Sequence, residues 1–122
     1  MQGNVSFVEF GTTEPDVGKS RSFFEKLFEW QFHPMPQGGG WFQASSMRLG
    51  LHGNDPEPQV YVFFEVRDLE RAIAVVTESG GHADSPVTEE GDFGRFAFCR
   101  DPQGIRFGLH QRSAAEVARS TS

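Results

Sequence analysis

The segment Arg48-Leu49-Gly50-Leu51-His52 returns later in the chain as Arg106-Phe107-Gly108-Leu109-His110, with four of the five positions identical. Self-similarity over this separation marks a duplicated structural unit and excludes folds whose halves are built differently. Each copy closes a stretch with the same order of elements. Phe7-Val8-Glu9-Phe10 and Tyr61-Val62-Phe63-Phe64 alternate as strands do, so Glu9 shares a face with Phe7, and Phe63 with Tyr61. A helix-periodic run follows each of them: Val17, Phe23, Phe24, Leu27 and Phe28 after a cap at Asp16 or Thr13, then Leu69, Ala72, Ile73 and Val76 after a cap at Asp68, stopped by Gly80 and Gly81. In the first copy a loop from His33 to Gly40 leads to strands at Trp41 to Ala44 and Met47 to His52. In the second, a strand near Val87, another from Arg95 to Arg100 and a last one from Ile105 to His110 complete the set. The reading is one duplicated α+β domain whose modules each run strand, helix, then two or three strands, module one over 5–53 and module two over 60–111, with a Pro-containing linker over 54–59 and a polar tail over 112–122.

Composition narrows the chemistry. The length of 122 residues suits a single domain with its own core. Acidic residues outnumber basic ones 17 to 11, for a net charge of -6, and no Lys/Arg cluster is present, which argues against a nucleic-acid partner. No apolar run approaches the ~20 residues that would span a bilayer, so no membrane partner is expected. A lone cysteine, Cys99, cannot close an internal disulfide and reads as a structural thiol; Met1 is followed by no signal-like segment, and a cytoplasmic location is expected. The 13 phenylalanines, against one tyrosine and two tryptophans, indicate a phenylalanine-rich core, a phenylalanine-lined pocket, or both.

Taken with the repeat, Val8-Glu9-Phe10 leading into Phe23-Phe24-Glu25-Lys26-Leu27-Phe28-Glu29-Trp30, Phe64-Glu65-Val66-Arg67-Asp68 running to Gly80-Gly81, and Asp101-Pro102-Gln103-Gly104 before Phe107-Gly108-Leu109 resemble the vicinal oxygen chelate superfamily. That superfamily holds glyoxalase I, bleomycin-resistance proteins and extradiol dioxygenases. The resemblance covers roughly residues 5 to 111 and implies two pseudo-symmetric βαβββ modules forming a curled, cup-like mixed sheet with helices outside. Glu29 departs from the family's Phe-Gly-Trp pattern, so another residue is expected to absorb the turn at that helix end.

Metal-using members of the family place ligands on the first and last strands of each module. Carried onto this chain, those slots fall on Gly50, Gly108 and Tyr61, with the fourth on Phe7 if the Val-Glu-Phe motif is aligned or on Glu9 if residues are counted back from Phe23. Glycine and tyrosine are not usual ligands of a divalent ion, and the expectation is no metal and no other cofactor. The alternative is one divalent metal ion held by Glu9, His52 and His110, because each histidine lies two residues beyond a glycine slot and so on the same strand face.

A metal-free cup would bind a small organic molecule by shape. The glycine slots would widen it, Phe7, Tyr61, Phe63 and Trp41 would wall it, and Glu9, Arg48, Arg106, His52 and His110 would supply polar contacts. Glu9 would suit a cationic ligand and the two arginines an anionic one. Gly38-Gly39-Gly40 reads as a mobile loop or lid, and His33 and His82 as loop residues. Three functions follow: a metal-free binder, a metal-dependent lyase, isomerase or dioxygenase, and an interaction or regulatory module. Open sheet edges point to a homodimer.

Overall fold

The computed structural model describes residues 3–114 and Val117. The chain forms two compact units, one of residues 7–61 and one of the residues from Val62 onward with those up to Ser6. In the first, β1 (Val5–Gly11), α1 (Gly18–Phe28), β2 (Gln31–Pro34), β3 (Gly40–Gln43) and β4 (Arg48–His52) follow one another. The strands lie in the order β2-β3-β4-β1, with β1 parallel to β4 and the other pairs antiparallel. Alternation sends Val8, Phe10, Phe42, Leu49 and Leu51 to the face against α1, where they form the core with Val17 and Phe32. Phe24 joins α1 to that face by stacking on Phe10 at 4.9 Å and meeting Phe42 edge-on at 5.9 Å.

The second unit repeats this plan with β5 (Gln59–Glu65), α2 (Leu69–Glu78), β6 (His82–Ala83), β7 (Thr88–Glu90), β8 (Gly94–Arg100) and β9 (Arg106–Arg112). Its order is β5-β9-β8-β6, again with the opening strand parallel to the closing one. β6 and β7 both pair antiparallel with β8 and together take the place that β2 has in the first unit, interrupted around Pro86, whose ring cannot donate to a ladder. Val66, Leu69, Cys99 and Leu109 form the core beneath α2. The fold is therefore α+β, as the repeat predicts, and built of two βαβββ-type modules, as the resemblance implies. No helix among the described residues is long and apolar enough to cross a membrane.

Several local expectations change. The cap of α1 is Val17, with no side-chain bond of its own; Asp16, one residue earlier, accepts the Gly18 N–H at 2.8 Å, while Asp68 caps α2 by accepting from Arg71 at 3.1 Å as predicted. Glu29 itself takes the left-handed conformation, φ 57°, that glycine occupies in the family pattern, so no neighbour absorbs the turn. The predicted His33–Gly40 loop is a β2–β3 hairpin instead, closed by Met35 N–H to Gly39 O at 3.0 Å, and Gly38 and Gly39 supply its positive φ. Two prolines and three glycines concealed that strand; as an edge strand, β2 tolerates Pro34 at its end. Of the tail predicted for 112–122, Arg112 completes β9, and most of the rest lies outside the described residues.

Candidate functional site

In the first unit the face turned away from α1 collects five of the predicted residues: Phe7, Glu9, Trp41, Arg48 and His52. Register sets Glu9 beside Gly50, Gly50 beside Trp41, and Trp41 beside His33, one row across four strands. His52 follows Gly50 by two residues on the same face. Its Nδ1 lies 2.5 Å from Glu9 Oε2 and its Nε2 2.7 Å from Asp55 Oδ1, while Gln59 donates to Asp55 Oδ2 at 2.8 Å. A carboxylate only accepts, so an imidazole between two of them carries a proton on each nitrogen. The hydrogen bond to Glu9 is the main cause, against the cost of burial and with help from the Glu9 charge and from Asp55, and it raises the His52 pKa from 6.5 to about 9.

Glycine has a different use here from the one predicted. A Cβ at Gly50 would collide with the Glu9 carboxylate, and one at Gly108 with the Phe63 ring. The missing side chains therefore do not widen a cavity; each leaves the space into which the residue opposite, on the parallel opening strand, lays its own side chain. Gly11 makes the same allowance for the Asp55 carboxylate.

Trp41 is flanked by two stacked groups. The His33 ring lies parallel to it at 4.0 Å and the Arg48 guanidinium lies over its ring at 4.1 Å. His33 is thus a strand residue with an aromatic partner rather than a loop residue.

The second unit disposes its share of the predicted residues differently. Phe63 is only 2% exposed and sits in a herringbone of Phe93, Phe96 and Phe98, with ring centroids 5.5–6.4 Å away. His110 is 2% exposed, stacks on Phe93 at 3.9 Å, reaches the Phe93 carbonyl oxygen with Nε2 at 2.6 Å and meets Ser6 Oγ with Nδ1 at 2.8 Å. The carbonyl can only accept, so Nε2 carries a proton, while the serine hydroxyl can either donate to Nδ1 or accept from it. Tyr61, in the first unit, is half-buried, and Arg106 is exposed. Cys99 is fully buried, and that burial raises its thiol pKa, in keeping with a structural role. Glu9 and His52 are thus brought together within the first unit, and within the second His110 has Phe93 and Ser6 as partners. Among the described residues no group of three or more His, Cys, Asp or Glu side chains is arranged to hold a metal ion.

Sequence reasoning missed Asp55, Gln59 and His33. Asp55 and Gln59 were assigned to a linker, yet that segment folds back, Asp55 N–H bonding Thr12 O at 3.0 Å and Asn54 N–H bonding Glu14 O at 3.1 Å. The His-x-x-Asp spacing of His52 and Asp55 was the available signal. Strand alternation puts Phe96 and Phe98 on one face of β8, but it is the pairing of β5 and β8 with β9 that sets them beside Phe63.

A duplicated strand–helix–strand unit whose parallel opening and closing strands carry the polar row is the architecture of one broad class, and the comparison with known proteins agrees. The chain belongs to the Glyoxalase/Bleomycin resistance protein/Dioxygenase superfamily, whose profile matches residues 7–109. It is 29% identical to CFP32, a provisionally assigned glyoxylase of Mycobacterium bovis, over 90% of this chain and 46% of that protein, so it spans about half the length of the relative. Among solved structures it resembles methylmalonyl-CoA epimerase from Mycobacterium tuberculosis, with TM-score 0.67 and 12% identity over 95% of this chain and 91% of the other. It also resembles a variant of homoprotocatechuate 2,3-dioxygenase from B. fuscum, with TM-score 0.72 and 17% identity over 93% of this chain and 33% of the other. At these identities the structural likenesses speak for the fold.

Proposed function

We propose that this protein binds a small organic molecule on the helix-free face of its strands and does so without a metal ion. The observation that carries the reading is the Glu9–His52–Asp55 set. A metal ligand must offer a lone pair from a deprotonated nitrogen, and donors around one ion stand roughly 2.0–2.2 Å from it. Here both His52 nitrogens are bridged to carboxylates by protons at 2.5 and 2.7 Å, and the raised pKa keeps them protonated at neutral pH. This donor set does not fit a divalent cation. What it offers instead is a rigid, charged border to a face that also carries Phe7, Trp41 and Arg48, a mixture of aromatic surface and few polar groups suited to an organic ligand.

Elemental analysis of purified protein is expected to find well under one zinc, iron, nickel or manganese per chain; near one per chain, lost in Glu9→Ala, would overturn the metal-free part. A thermal-shift screen of small organic compounds is expected to yield hits that weaken when residues of this face are changed. Hits insensitive to all of them would overturn the binding part. We further propose that the protein acts as a homodimer. Phe23, Leu27 and Phe28 of α1 are 60, 56 and 50% exposed, an apolar strip of the kind that mates with another surface.

A further inference from the structure

The His33–Trp41–Arg48 stack says which kind of organic molecule the face would take. Arg21, Arg95, Arg100 and Arg112 each hold a carboxylate: Glu25, Glu70, Asp84 and Glu65. Arg48 differs. It is exposed, and among the described residues its guanidinium rests on the indole of Trp41 and forms no ion pair. The acid nearest in the row, Glu9, is already committed to His52 and leans over Gly50, so it neither neutralises Arg48 nor presents an unshared charge to a cationic ligand.

We propose, resting on the small-molecule reading above, that this face binds a planar aromatic carboxylate, with the ring stacked on Trp41 and the carboxylate held by Arg48. The guanidinium and an aromatic ring are comparable occupants of an indole face. A ligand ring can therefore replace the guanidinium there at little cost, while the displaced guanidinium turns its N–H edge to the carboxylate and gains a bidentate, charge-assisted pair that it lacks at rest. His33 keeps the opposite side of Trp41 covered, which fixes the plane of the indole and restricts the ligand to one side. A cation would meet the guanidinium's repulsion, and a saturated ring would lose the flat contact.

The test is calorimetric titration of the full chain with 2-naphthoate, with cyclohexanecarboxylate and a 2-naphthyl trimethylammonium salt as controls. 2-Naphthoate is expected to bind, with each control at least about tenfold weaker. Arg48→Gln and Trp41→Leu should each weaken 2-naphthoate about tenfold or more and Arg48→Lys by less, while Arg71→Gln, at an exposed arginine of α2, changes it by no more than about twofold. Arg48 is exposed, so Arg48→Gln decides if Trp41→Leu fails to fold. No binding of 2-naphthoate at about 1 mM, unchanged affinity in Arg48→Gln, or tighter binding of the ammonium salt overturns this assignment. The broader reading is judged separately by the thermal-shift screen: a hit that depends on Glu9 or Phe7 but not on Arg48 keeps it while removing this proposal, and no hit at all removes both.

Discussion

His52 stands between two carboxylates drawn from different stretches of chain, and its protonation is linked to stability. Its folded pKa, about 9, lies above the unfolded value of 6.5, so the stabilisation is complete below pH 6.5 and is lost as pH rises through about 9. The side chain is 38% exposed, and solvent screening reduces the full shift to a contribution of about 1 kcal/mol. Urea unfolding followed from pH 6 to pH 10 should show that loss in the wild type and a flatter profile in His52→Asn; equal slopes would mean the ion pair does not govern this range. Gly50 supplies a second test at the same scale. Gly50→Ala should cost about 1–3 kcal/mol because the new methyl meets the Glu9 carboxylate, and Glu9→Ala in the same chain should restore most of the loss. Additive effects would show that the two residues are not in contact.

At the level of the element, the end of α1 is the informative place. Glu29 donates its backbone N–H to Glu25 O at 2.9 Å and holds φ 57°, a conformation that costs an ordinary residue about 1–2 kcal/mol. Glu29→Gly should therefore stabilise the chain by about 1 kcal/mol, less the greater freedom glycine has when unfolded, read as a rise in the midpoint of chemical unfolding. An unchanged or lowered midpoint would mean that the exposed Glu29 side chain contributes more than its backbone costs. The β2–β3 hairpin illustrates a converse case. Its prolines and glycines read as a loop, yet the register from Gln31 opposite Gln43 to Pro34 opposite Gly40 is regular, because at a sheet edge a proline forfeits no ladder bond.

At the scale of the molecule, the exposed strip on α1 gives the assembly prediction. Light scattering at micromolar concentration should report about twice the 13.6 kDa chain mass, and Phe23→Glu should return it to one chain. A single-chain mass for the wild type would remove the homodimer. The same strip shows a limit of periodicity: Phe23, Leu27 and Phe28 fall on helical spacing with Phe24, yet only Phe24 of the four is turned into the unit's core.

The duplication, the α+β class, the order of the elements other than the edge strands β2 and β6, and the strand face on which Phe7, Glu9, Trp41, Arg48 and His52 lie were determined by the amino-acid sequence, because side-chain alternation and helical spacing are local properties of the backbone. Which of those residues touch was decided only in the folded chain. Glu9 meets His52 through the parallel β1–β4 register, Asp55 joins them because a segment read as a linker folds back onto the end of β1, and His33 reaches Trp41 through a hairpin hidden behind prolines and glycines. Even the meaning of Gly50 and Gly108 reversed, from open space to space taken by Glu9 and Phe63. Periodicity assigns a side chain to a face, whereas its neighbour there depends on strand pairing and loop closure between segments distant along the chain, and local sequence does not specify those.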